Sequence, residues 1–242
     1  MSMTTDSHAI PSARLGSLRV DFPVWGLFGR SRLAEVGSVL IIPAPWTTTI
    51  LYRFIGSHVA LPDGKRLTFA GQPGDIWYVL MGFWAMSWFH GIIDRHHLPG
   101  YLGLLVVIAT AALSVVIFKW FCANLKSSED DRLSIAFEGG YWAYIGWTIL
   151  PIVSFVTIVG WAWVLKFMLQ WICRNVHASI RFDDHSTGIA TLWRTVVFAL
   201  VSALLVPIPW MLRWYVSWMI SQISVVQPEA TAAALVDLSR CR

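Results

Sequence analysis

Long apolar runs separated by short charged stretches set the pattern of this chain. Tyr101–Phe118 (18 residues), Gly139–Leu165 (27) and Thr195–Leu212 (18) hold no charged side chain, and Ile76–Ile93 holds no Asp, Glu, Lys or Arg. About 20 apolar residues are needed to cross ~30 Å of hydrocarbon, so these runs predict membrane helices. They pair into three hairpins: Ile76–Ile93 with Tyr101–Trp120, Tyr141–Ile158 with Val164–Arg174, and Ile189–Leu205 with Met211–Val225. A shorter unit precedes them, in which Val36–Ile42 and Thr47–Gly56 flank Pro43-Ala44-Pro45-Trp46. Its arms are too short to span, so a re-entrant or interfacial element is expected there. Between the units, Arg66–Gly71, Arg132–Gly139 and Ser179–Asp184 alternate polar and apolar residues, the period of a half-buried strand. The expectation is an all-α membrane protein of about six transmembrane helices, arranged as three repeated hairpins with short cytoplasmic β-strands that pair with one another. Residues 1–35 would form a cytoplasmic N-terminal segment, 36–225 the membrane domain and 226–242 a cytoplasmic tail.

Composition agrees with that class. Apolar residues make up 56% and charged residues 13%, against roughly 45–50% and ~25% in soluble domains. That is too little charge to coat a soluble globule, and the same figures exclude disorder and a disulfide framework. The 15 Trp fit a chain with extensive headgroup-level surface. Of 18 Lys and Arg, the expected layout puts 14 on the side of the strands and both termini, with only Arg95 at a tip. That bias places both termini in the cytosol of a multi-pass protein of the inner membrane. Cys122, Cys173 and Cys241 show no metal-type spacing, and the first two are expected as free thiols at small-residue positions.

A repeated spacing is the most specific signal. Trp46 is followed eight residues later by Phe54, Trp163 by Trp171 and Trp210 by Trp218; four residues further on stand His58, Asn175 and Gln222. A fourth copy, Trp120 to Asn124, lacks the turn Trp. Offsets of 8 and 12 fall near one face of a helix. At these residues, over roughly 36–225, the chain resembles the YjgN-type family of bacterial inner-membrane proteins, a domain of unknown function. The resemblance implies units of a small strand ending in Phe-x-Gly, a membrane helix, a Gly- or Pro-Trp turn, and a helix with an aromatic at +8 and Asn at +12. Only Asn175 keeps that Asn after a turn Trp, and the family's Arg-rich run is reduced to Arg53 or Arg213. The resemblance implies an architecture and no activity.

Candidate chemistry is sparse. His90, Asp94 and His97 at i, i+4 and i+7 would share a face on a continued helix and offer imidazole and carboxylate to a divalent cation. Lys166 and Arg213, each three residues after a turn Trp, are candidates for lipid headgroups. No GxSxG, HExxH or P-loop motif occurs, no His lies mid-membrane to ligate haem, and no cofactor is expected. The basic residues are spread over loops, which favours anionic lipid over nucleic acid. The functional expectation is a non-enzymatic scaffold or accessory subunit that contacts the bilayer, with a membrane-protein partner or a second copy of the chain. A small transporter or channel built from hairpins is the alternative. An enzyme ranks behind both and would rest on the His90 cluster. Trp163 and Trp210 are expected at the outer interface, where the indole N–H bonds a carbonyl freed at the turn or a headgroup while the ring packs on the neighbouring helix.

Overall fold

The computed structural model describes residues 14–127, 135–154, 160–177 and 181–226, which are mostly helical. After β1 (Arg14–Ser17), four hairpins follow one another, each flanked by a leading and a trailing strand. The first is β2 (Arg19–Val20), α1 (Val24–Leu40), α2 (Ala44–Ser57) and β3 (Val59–Ala60). The second is β4 (Leu67–Phe69), α3 (Pro73–Arg95), α4 (Gly100–Ala123) and β5 (Leu125–Ser127). The third is β6 (Ala136–Phe137), α5 (Tyr141–Ser154), α6 (Gly160–Asn175) and β7 (Val176–His177). The fourth is β8 (Arg181–Asp184), α7 (Gly188–Ser202), α8 (Ile208–Ser221) and β9 (Ile223–Val226).

Two expectations are corrected here. The short first unit is a complete hairpin, because α1 starts twelve residues before Val36. Arg30, Arg32 and Glu35 had hidden it from a hydropathy reading, yet Arg30 lies over the Phe54 ring and Arg32 pairs with Glu35. The division at residue 36 therefore cuts through a helix, and Leu18, Phe22 and Leu27 are buried in the common core. Residues 227–242, with Cys241, lie outside the described residues. Among the described residues the expected strands also do not pair with one another. Each leading strand pairs antiparallel with its own trailing strand, with Val20 opposite Val59, Phe69 opposite Leu125, Phe137 opposite Val176 and Asp184 opposite Ile223. A hairpin returns the chain beside its own start, so this closure costs less chain entropy than pairing with a distant strand.

The helices close into a ring. Each packs on the next in sequence, and α8 packs on α1. The second helix of every hairpin also packs on the leading strand of the following one: α2 on β4, α4 on β6, α6 on β8 and α8 on β2. β1 joins the last hairpin's sheet in the order β1–β9–β8, and the Leu18 N–H donates to the Ile223 carbonyl at 3.0 Å. A continuous apolar cluster draws on all four hairpins and includes Phe54, Val115, Phe137 and Tyr144, with Trp171 and Val216 packed against it.

Only α3 and α4, at 23 and 24 residues, are long and apolar enough among the described helices to cross a membrane. Just 22% of each apolar window is buried inside the chain. Helices α1, α2, α7 and α8 run from 14 to 17 residues, about 21–26 Å at ~1.5 Å per residue, short of the ~30 Å of a full crossing.

The first and fourth tips have the same backbone. Ile41 and Leu205 carry φ of 62° and 63°. Each is the centre of a tight i to i+2 turn, in which Ile42 N–H donates to Leu40 O and Val206 N–H to Leu204 O, both at 2.7 Å. Thr47 N–H then bonds Pro43 O at 3.1 Å, and Met211 N–H bonds Pro207 O at 3.0 Å, restarting the helix around Pro-x-Pro-Trp. A positive φ costs an L-residue about 1–2 kcal/mol, and a β-branched one is the worst placed. Ile41→Gly is therefore expected to raise the melting temperature in detergent by a few degrees, and Leu205→Val to lower it. A scan of both variants beside the parent checks the pair.

Candidate membrane-contact surface

The residues singled out by spacing have distinct structural tasks. His58, Asn124 and Gln222 are the C-caps of α2, α4 and α8, and Asn175 ends α6. A helix end leaves carbonyls without partners, and the polar side chains answer this directly. Asn124 Nδ2 donates to Trp120 O at 2.9 Å, Asn175 Nδ2 donates to Trp171 O at 2.8 Å, and His58 Nδ1 lies 2.9 Å from Phe54 O. The main-chain carbonyls of these four residues then hold the leading strands. They accept from Asp21 N–H (3.3 Å), Ala70 N–H (2.9 Å), Glu138 N–H (3.0 Å) and His185 N–H (3.1 Å) in turn. Spacing at +12 thus marks a hinge pin between helix end and strand.

The aromatics at +8 lie under those pins. Phe54 packs on Phe22, Trp120 on Phe69 and Trp171 on Phe137, at centroid distances of 6.0, 5.0 and 5.7 Å. Phe54 and Trp218 also take a guanidinium over the ring, from Arg30 at 4.1 Å and Arg194 at 4.6 Å. Both arginines stand seven residues beyond the N-cap of the first helix of their hairpin, Pro23 or Thr187. That shared offset was the sequence signal for this pair.

The rings of two turn tryptophans pack on the helix of the neighbouring hairpin. A Cβ at Gly188, the first residue of α7, would lie 2.8 Å from the Trp163 ring. Trp210 meets Trp25, in the first turn of α1, edge-on at 5.5 Å. Each indole therefore packs at the start of the next hairpin around the ring. Trp46 is half exposed at the first tip. The bond to a carbonyl near a tip is made instead by Trp88, whose Nε1 donates to Val39 O at 3.1 Å. Lys166 and Arg213 are not brought together. Lys166 Nζ lies 5.6 Å from the Phe167 ring, and Arg213 reaches Asp21 Oδ1 at 3.5 Å.

The proposed metal triad does not form. His90 Nε2 lies 3.8 Å from Asp94 Oδ2, but α3 ends at Arg95 with His96 as C-cap. His97 has a φ of 48°, so the i+7 position has left the helical face. Among the described residues no group of three His, Cys, Asp or Glu side chains is placed to hold a metal ion.

What the surface does show is a contrast between tips. Val39, Leu40 and Ile42 at the first, and Leu204, Leu205 and Val206 at the fourth, are exposed without a charge among them; Leu205 is 73% exposed. The second tip is Asp94-Arg95-His96-His97. No family model, curated protein or solved structure matches this chain.

Proposed function

We propose that the chain is an integral protein of the cytoplasmic membrane, related to the YjgN-type family, and acts as a lipid-contacting scaffold built from four hairpin units. The observation that carries this is the contrast between tips. Contiguous exposed apolar surface on a monomer marks a place for lipid or protein, and here two of the hairpin tips carry it with no charged side chain among the residues. The polar second tip suits a hairpin that crosses and emerges in water, with α3 and α4 as the spans. The apolar tips suit shorter hairpins that enter from the strand side and turn back in hydrocarbon, with the tight bonds to Leu40 O and Leu204 O and the Trp88 indole on Val39 O taking up part of the freed backbone. With the strand side cytoplasmic, the basic residues obey the positive-inside rule and both termini are cytoplasmic.

The continuous apolar cluster shared by the four hairpins favours a scaffold over a transporter, since a path for ions needs polar side chains or water along it. Nitroxide labels at positions 40 and 205 test the reading in reconstituted vesicles. Relaxation by oxygen with protection from a water-soluble nickel chelate is expected at both, with ion flux no faster than in empty vesicles. Free access of the chelate to both labels would remove the membrane-inserted tips, and flux above background would favour the transporter.

A further inference from the structure

The ring closes between the fourth hairpin and the first, and the seam there is unlike the other joints. Two adjoining recesses, of about 420 and 800 Å³, share Arg19, Val20 and Arg213 in their walls. The smaller adds Arg66, His58 and Asp21, and the larger adds Arg194 together with Trp210, Trp214 and Trp218. Four arginines thus line the two recesses, with Asp21 the one carboxylate among the lining residues. That carboxylate is weakly engaged, because the Asp21 side chain is 97% exposed and its contact to Arg213 is 3.5 Å. Arg194 lies across the Trp214 and Trp218 rings at 5.2 and 4.6 Å, and its Nε is buried with no acceptor among the described residues. Arg19 and Arg66 have no side-chain hydrogen bond or ion pair among the described residues.

We propose that this seam is a binding site for a phosphate group. The planar fork of arginine matches phosphate oxygens in pairs, with charge-assisted bonds about twice as strong as neutral ones. Several cations gathered without counter-charge repel one another, and a bound anion relieves that. Lipid headgroup phosphate and free phosphate share this chemistry. The indole wall of the larger recess, made of rings that pack on apolar chains, favours the headgroup of an anionic phospholipid. That choice of source rests on the membrane reading above; the phosphate cradle does not.

The test uses the full chain in detergent with two probes, short-chain phosphatidylglycerol and inorganic phosphate, read by thermal shift and native mass spectrometry. Arg19→Gln and Arg213→Gln are compared with Arg32→Gln, which removes the same charge from an exposed pair outside the seam. Loss of one charged hydrogen bond corresponds to roughly a tenfold or larger loss of affinity. That loss is expected in both seam variants and not in Arg32→Gln, with unliganded melting temperatures close to the parent's. Tighter binding of phosphatidylglycerol than of phosphate identifies the lipid, and equal binding identifies a soluble phosphate; either supports the cradle. Binding by both seam variants as in the parent, or an equal fall in Arg32→Gln, overturns it. Carbonate extraction of the same preparation tests membrane integration separately. A chain that is extracted yet still binds phosphate through Arg19 and Arg213 would refute the membrane reading alone.

Discussion

Gly139→Val is expected to prevent the third hairpin from closing, whereas Gly140→Ala next to it is expected to change almost nothing. A Cβ at Gly139 would lie 2.8 Å from the Trp171 ring and closer still to the Phe137 ring, while one at Gly140 would meet open space. Both rings are committed elsewhere. Phe137 packs against Phe118 and Tyr144, and Trp171 sits against Tyr144. Forcing even one methyl into a filled core costs about 1–3 kcal/mol, and valine adds two more carbons. The check is folded yield and melting temperature in detergent for the two variants side by side. Gly71 faces the same arrangement of Phe69 and Trp120, the latter at 2.7 Å. Trimming the obstacle should restore part of the loss, so Gly139→Ala combined with Trp171→Leu is expected to melt higher than the sum of the single changes predicts. Simple additivity would mean that the Phe-x-Gly strand end is not read by the aromatic beneath it.

A single cysteine at position 96 is expected to react with an impermeant maleimide from outside intact cells, and one at 126 only after the inner face is opened. A cysteine at 205 should resist the reagent from both sides until detergent is added, although Leu205 is among the most exposed side chains of the folded chain. Cys122 and Cys173 are free and buried, so they contribute little background, and both can be replaced along with Cys241. The difference between 96 and 205 measures how far each tip travels. α7 runs only eight residues from Thr195 to Ser202 beyond its last charge, Arg194, or about 12 Å at ~1.5 Å per residue. α3 carries 18 residues between Asp75 and Asp94, or about 27 Å. Ready labelling at 205 from the outside would convert the short hairpins into spans.

Much of the hairpin order was legible because apolar runs and turn residues are local signals. The +8 and +12 positions were found before their tasks were known, since a ring and a cap recurring on one helix face leave a mark in spacing. α1 was half missed because Arg30 and Arg32 make its first turns look like a soluble segment; a cation stacked on Phe54 cannot be told from a solvated one in sequence. The strand partners were misassigned for a different reason. Alternation says that a segment is extended, but strands of two residues such as β2 and β6 carry no information on what lies beside them. The His90 triad failed at one dihedral, the reversal at His97, which no spacing rule sees. Arg213 stands out in sequence by its offset from Trp210, but its convergence with Arg19, Arg66 and Arg194 requires the closed ring, because those residues are drawn from opposite ends of the chain.

The clasp of β1 on β9 sets an order of events during biosynthesis. Gly16 pairs with Val225 and Ser17 with Ser224, so the two edges of this joint leave the ribosome more than two hundred residues apart. At ~5–20 residues per second, the leading edge exists for about 10–40 s before its partner has been made. The three other joints are complete by then, each as soon as its own trailing strand emerges. Nascent chains arrested shortly before residue 223 should therefore hold three finished units and an open flank, which makes this joint the last to form.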